Sequence, residues 1–129
     1  MASTTPSSGP TNLGVAPNLG GLLCYLPCCV GLVFSIVVAA VEKRSGSLRF
    51  HAFQSLLLHG VLLALCMGLQ IVHWTLVAVS GLLGLVFSLV MALVGLAVLG
   101  LMIFLMVKAY GNESFELPVI GEMARKWAS

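Results

Sequence analysis

Residues 42–60 read EKRSGSLRFHAFQSLLLHG. Half of the chain's six Lys and Arg residues, Lys43, Arg44 and Arg49, fall within residues 42–49, and an apolar stretch carrying His51 and His59 follows at once. The stretch decides the fold because of what lies on either side of it. Residues 19–41 hold no Asp, Glu, Lys or Arg, and neither do residues 52–107. Of the 129 residues, 60% are hydrophobic and 8% are charged, against about 25% charged in a soluble domain. A core this small cannot hide that deficit. A membrane-crossing helix needs about 20 apolar residues, so the first run predicts one crossing and the second, more than twice that length, predicts two.

Residues 1–18 contain no Lys or Arg for the basic start of a signal peptide, and the apolar run after them is too long for its core. Residues 19–41 are therefore expected as an uncleaved crossing. Leu22 and Leu23 ahead of Cys24 also argue against a lipid-attachment site. The Ser, Thr, Pro and Gly of residues 1–18 predict a disordered tail, because such a segment buries too little apolar surface to offset its ordering entropy. In the second run, Gln70, His73, Trp74, Thr75, Ser80 and Gly81 gather near the middle. Trp favours the headgroup level, which puts the reversal around residues 74–80 and the crossings near 19–41, 52–73 and 81–107.

Lys43, Arg44 and Arg49 then lie between the first two crossings, and Lys108, Arg125 and Lys126 follow the third. Three crossings bring both groups to one side, and the positive-inside rule makes that side the cytoplasm, with the N-terminus outside. The expected fold is all-α: an integral membrane bundle of three transmembrane helices with a short cytoplasmic, interfacial C-terminal helix. Gly111 and Asn112 should end the third helix, and Pro118 suits the start of the terminal one. There Val119, Ile120, Met123 and Trp127 share a side, away from Glu122, Arg125 and Lys126, as in a helix lying in the interface.

Helices in lipid meet through small residues. At about 100° per residue, Gly20, Gly21, Cys24, Pro27, Cys28, Gly31, Ser35 and Ala39 share one arc of the first crossing. Gly81, Gly84, Ser88, Ala92 and Gly95 share another on the third. The second crossing carries a polar stripe instead: His51, Ser55, His59, Cys66, Gln70 and His73. Polar groups in hydrocarbon are costly without partners, so the stripe is expected to lie against the two small faces.

The stripe does not read as a metal centre. His51 and His59 are about 12 Å apart along a helix and His73 is about 21 Å beyond, while zinc takes nitrogen ligands at about 2 Å. Neither HExxH nor paired C-x-x-C occurs. Cys24, Cys28 and Cys66 leave open a thiol metal or redox site, or a disulfide between crossings, although buried cysteine more often packs as a small apolar residue. His59 is the one readily titratable group deep in a crossing, and so the residue to watch for ion or proton passage. It has no charged partner at that depth. Nucleophile elbow, phosphate-cradling loop and carboxylate pair are all absent, so neither enzyme activity nor a cofactor is expected.

Tyr25 and Pro27, the stretch EKRSGSLRFHAFQSLLLHG and the closing KAYGNESFELPVIGEMARK together resemble a family of small three-span prokaryotic membrane proteins of unknown function. That family was formerly described as Tic-translocon-like, and it includes the magnetosome proteins MamF and MmsF. Its pattern is a Glu-Lys pair, Arg-Phe-His-Ala-x-Gln-Ser, and Lys-Ala-Tyr ahead of Leu-Pro-x-Ile-Gly. The matching positions are Glu42, Lys43, Arg49, Phe50, His51, Ala52, Gln54, Ser55, Lys108, Ala109, Tyr110, Leu117, Pro118, Ile120 and Gly121. The resemblance covers residues 19–127 and implies three crossings in a prokaryotic inner membrane, but no reaction.

Three function classes fit these residues. The first choice is a non-enzymatic scaffold or assembly protein whose partners are the lipid bilayer, further copies of itself or other membrane proteins, and not nucleic acid. Its two motifs would close on each other at the cytoplasmic face, Glu42 or Glu113 with Arg49 or Lys108, and His51 or Gln54 with loop carbonyls. The alternatives are a small transporter or channel component lined by His59 and Gln70, and a thiol-based metal or redox sensor.

Overall fold

The computed structural model describes residues 11–111 and 115–128, apart from the Cys28 side chain. Five helices follow in order: α1 (Pro17–Cys24), α2 (Cys28–Val41), α3 (Gly46–Val79), α4 (Gly81–Tyr110) and α5 (Ile120–Ala128). No strand occurs among the described residues. Their boundaries have local causes. Pro17 opens α1, where its missing N–H costs nothing. Ser45 caps α3 by accepting a hydrogen bond at Oγ from the Leu48 N–H at 3.2 Å. Ser80, in an extended conformation, is the single residue on which α3 ends and α4 begins. The reversal thus falls at the far edge of the expected 74–80 segment, and Trp74 stays helical.

Among the described residues, α3, of 34 residues, and α4, of 30, are the two helices long and apolar enough to cross a membrane. They measure about 51 and 45 Å at 1.5 Å per residue, more than the roughly 30 Å of a hydrocarbon core. Their exposed surface is apolar, with Leu63, Met67, Ile71, Leu82, Leu85, Leu89, Leu93 and Leu96 all outward. A belt of this kind is stable facing lipid and a liability facing water.

The first apolar run does not form the single helix expected over 19–41. Pro27 lacks an amide hydrogen and disfavours helix at the residue before it, so the chain breaks between Cys24 and Cys28 and turns back. Where α1 stops, the carbonyl of Cys24 loses its helical partner. It accepts instead from Ser35 Oγ of α2 at 3.2 Å and Ser55 Oγ of α3 at 2.5 Å, as a buried carbonyl at a broken helix requires. Gly31 allows the return: a Cβ there would collide with the Leu26 carbonyl oxygen and stand 2.9 Å from that of Cys24.

The two ends of this hairpin meet. The Asn12 N–H donates to Glu42 Oε2 at 2.8 Å, and Asn12 Oδ1 accepts from the N–H groups of Lys43 and Arg44 at 3.0 and 3.2 Å. Residues 13–41 thus leave and return at one end of the molecule, and α2, of 14 residues, reaches only about 21 Å. Of the segment expected as a disordered tail, residues 1–10 lie outside the described residues, while residues 11–16 form a turn held by Thr11 and Asn12.

α1 lies between the start of α3 and the end of α4, because Gly20 sits against Leu48 and Gly21 against Ala109 and His51. Two apolar clusters result. One joins Cys24, Val38, Leu48 and Ala52; the other joins Tyr25, Leu58, Met102, Leu105, Ala109 and Leu117. Both lie at the end of the α3–α4 hairpin that carries the cations. α5 docks there on α3 through buried Gly121 and Ala124, with Trp127 edge-on to Phe53 and Arg125 over the ring of Phe50. Helix begins at Ile120 and not at Pro118, after Val119 takes a left-handed φ of 66°, a costly backbone for a β-branched residue.

Candidate functional site

Two hydrogen-bonded seams occupy the cationic end. In the first, Glu42 is fully buried. Its Oε1 accepts from the N–H groups of Arg44 and Ser45 at 2.8 and 3.0 Å, and its Oε2 accepts from Asn12. Sequence reasoning paired this carboxylate with Arg49 or Lys108. It bonds backbone N–H groups instead, because the short connection between α2 and α3 leaves their donors without helical partners. The alternative acid, Glu113, lies outside the described residues.

Burial by itself would raise the Glu42 pKa, yet backbone N–H donors from Ser45, Arg44, Asn12 and Leu13 outweigh it and hold the carboxyl below its ordinary 4.5. A depressed native pKa adds stability that is full above the unfolded value and is lost as pH falls through the native one. The thermal midpoint of the parent should therefore fall faster than that of Glu42→Gln as pH drops below 4.5. Curves that stay parallel as the pH falls well below 4.5 would show that the charge does not hold the seam.

The second seam centres on Gln54, also fully buried. Gln54 Nε2 donates to the Tyr25 hydroxyl and to the Phe115 carbonyl, both at 2.9 Å, and its Oε1 accepts from the Leu117 N–H at 3.2 Å. One amide thus ties α3 to the hairpin turn and to the segment leading into α5. Gly121 makes room for it, since a Cβ there would stand 2.9 Å from Gln54 Oε1 and closer still to Glu116. The Tyr25 hydroxyl, having accepted from Gln54, also shares a hydrogen bond with His51 Nδ1 at 3.2 Å. The other ring nitrogen, Nε2, is buried with no partner among the described residues. His51 meets Tyr25 and Phe50 edge-on.

The polar stripe is divided. His51 and Ser55 are buried and His59 half-buried, with His59 Nδ1 donating to the Ser55 carbonyl of its own helix at 2.8 Å. Cys66 and Gln70 are exposed, and His73 is half-buried, lining an open cleft together with Gln70. The small faces are divided too. Gly31 and Ser35 close the α1–α2 hairpin, and Gly84 packs on Val77 within the α3–α4 hairpin. Ser88 donates to the carbonyl of Gly84, while Ala92 and Gly95 face outward. Gly21, Gly31 and Ser35 of the first run are gathered at the cationic end, where α1 and α2 lie, and of the expected face on α4 it is Ser88 that shares a cleft with Gln70 and His73.

Among the other motif residues, Phe50, Leu117 and Gly121 are buried, whereas Lys43, Tyr110 and Pro118 are exposed. Arg49 lies over Phe53 and Lys108 over Phe104. Cys24 and Cys66 do not share a depth: Cys24 adjoins Ser55, and Cys66 lies about 16 Å farther along α3. Among the described residues, no three His, Cys, Asp or Glu side chains converge as metal ligands do. Sequence reasoning missed Asn12, the Cys24 carbonyl, and Tyr25 as a hub; the visible signal was a phenol two residues before a proline that must break the helix.

The model of the magnetosome magnetite crystal formation protein family matches residues 10–124, a span that takes in both seams. The chain belongs to that family. It is 38% identical over 122 residues to a UPF0132 membrane protein of Methanocaldococcus jannaschii, covering 93% of this chain and 96% of the relative. A second UPF0132 membrane protein of that organism is 32% identical over 119 residues, with 89% and 72% covered. One from Archaeoglobus fulgidus is 30% identical over 109 residues, with 84% and 92% covered. No solved structure matches the chain. The protein is thus a membrane protein of an uncharacterised family, as the motifs of its two cationic segments indicated.

Proposed function

We propose that this chain is a non-enzymatic membrane scaffold, anchored by α3 and α4, with α1–α2 as a re-entrant hairpin and both chain ends in the cytoplasm. The observation that carries the reading is the Gln54 seam. It joins three separated segments and commits both N–H groups and the oxygen of the buried side-chain amide to its own chain. Polar groups committed in this way make a rigid platform and offer no reacting atom. α5, with Met123 and Trp127 exposed beside Arg125 and Lys126 and Val119 exposed just ahead of it, suits the lipid interface. Its partners are the bilayer, further copies or other membrane proteins, and not nucleic acid.

Two crossings keep every Lys and Arg on one side, so the positive-inside rule is satisfied as well as by three. The layouts differ in the N-terminus alone. In intact cells, tags at both ends should resist a membrane-impermeant label, while a cysteine introduced as Gly81→Cys reacts. Labelling of the N-terminal tag from outside would restore the three-crossing layout. For the scaffold role, proteoliposomes of the parent should pass protons no faster than empty ones. Flux that His59→Leu abolishes would instead favour a transporter.

A further inference from the structure

We propose that a second copy of this chain covers the α3 face bearing Cys66, Gln70 and His73, with the two Gln70 amides paired across a two-fold axis. This rests on the reading above that α3 and α4 cross the membrane. Along α3, the cluster that includes Tyr25 of the α1–α2 turn takes in Leu58, with Leu62 packed against it. Beyond it residues 63–68 are all exposed, and the contacts farther along, Val77 with Gly84 and His73 with Phe87, are to α4. Gln70 lies about 12 Å past Leu62 and about 15 Å short of the Ser80 turn, well inside the apolar belt. Its side chain is exposed and makes no hydrogen bond among the described residues.

A second orphan sits beside it. His73 Nδ1 is buried and unpartnered, its ring stacked on Phe87 at 6.1 Å. Gln70, His73, Ser88 and Met91 line a cleft of about 210 Å³ between the two helices, open to the side. Ser88 has no proton left to give either group, because its hydroxyl already donates to Gly84. Hydrocarbon offers these groups nothing, so a partner must bring a donor and an acceptor to this depth.

A second copy meets that demand from symmetry. Two chains inserted in the same orientation hold Gln70 at the same depth, and a two-fold axis along the membrane normal sets like against like. An amide is its own complement, with N–H to give and C=O to accept. No Asp, Glu, Lys or Arg occurs between residues 52 and 107, so the face offers a charged partner no counter-ion. Interhelical amide contacts of this kind hold transmembrane helices together.

Cys66, one turn before Gln70 and exposed, is a built-in reporter. In full-length protein in native membranes, with Cys24, Cys28 and Cys29 replaced by Ala, a thiol crosslinker should join two copies through Cys66. Gln70→Leu should lower that yield about tenfold, the weight of one interhelical amide pair. With Cys66 also replaced by Ala, Val72→Cys, on the opposite face, should crosslink poorly. Equal yields from Cys66 and Val72→Cys, no change with Gln70→Leu, or Cys66 products containing only other proteins would each overturn the proposal. Rapid reaction of Cys66 with a membrane-impermeant maleimide would show instead that the crossing itself is wrong.

Discussion

Gln54→Leu is expected to destabilise the detergent-solubilised protein by about 3 to 5 kcal/mol, since each buried polar group left unsatisfied costs roughly 1–3 kcal/mol. The substitution nearly conserves volume but strands the Phe115 carbonyl and the Leu117 N–H, and takes from the Tyr25 hydroxyl its donor. The Tyr25 hydroxyl and the Leu117 N–H have no water to fall back on, because both residues are buried. The segment ahead of α5 should loosen first. Trypsin cleavage at Arg125 and Lys126 should then accelerate well before global unfolding. Gln54→Glu tests the chemistry separately: it keeps an acceptor for Leu117 but sets a carboxylate against the Phe115 carbonyl, and should be no better tolerated. A loss under about 1 kcal/mol for Gln54→Leu, the range of an ordinary exposed hydrogen bond, would mean that apolar packing alone holds the segment.

Gly31→Leu carries the second large effect. The atom that a Cβ would strike is the backbone oxygen of Leu26, with the Cys24 oxygen and the Leu26 nitrogen at 2.9 Å, so no side chain can swing aside. Overpacking costs about 1–3 kcal/mol even where side chains can adjust, and here α2 must lift from the end of α1. Cys24, with 0% of its surface exposed, reports the opening. In a chain whose other cysteines are replaced by Ala, its reaction with a small maleimide should accelerate about tenfold or more, since each 1.4 kcal/mol of lost protection is tenfold in the open population. Unchanged protection would mean that the turn at Pro27 is not held by this approach. Gly95→Leu, where nothing lies within 4 Å, is the neutral comparison.

Much of the fold was legible because hydropathy and length speak directly to α3 and α4. The turn near Ser80 and the terminal helix followed from polar clustering and from Pro118. The hairpin was hidden by a coincidence of length: residues 19–41 are as long as a crossing, and Pro27 alone does not say whether a helix kinks or reverses. Reversal is decided by partners far away in sequence, Ser55 for the Cys24 carbonyl and Asn12 for the 42–44 loop. The charge rule could not help, because residues 1–18 hold no Lys or Arg and so weigh equally on either side. The stripe on α3 was visible from helical periodicity, yet which half of it would be covered depended on how deep α1 and α2 reach. Glu42 was singled out as an ion-pairing group, but a tight connection with idle N–H groups competed more effectively for its oxygens.

The doubly bonded Cys24 carbonyl also imposes an order on assembly. Ser35 leaves the ribosome with its own hairpin, but Ser55 emerges twenty residues later, at the start of the following helix. A nascent chain that stops short of Ser55 therefore carries a loop whose apex is only half satisfied and has reason to linger among the headgroups. On the proposed re-entrant layout, insertion of the first third of the polypeptide is completed by the second, and the earliest-made segment settles only after a later one has arrived.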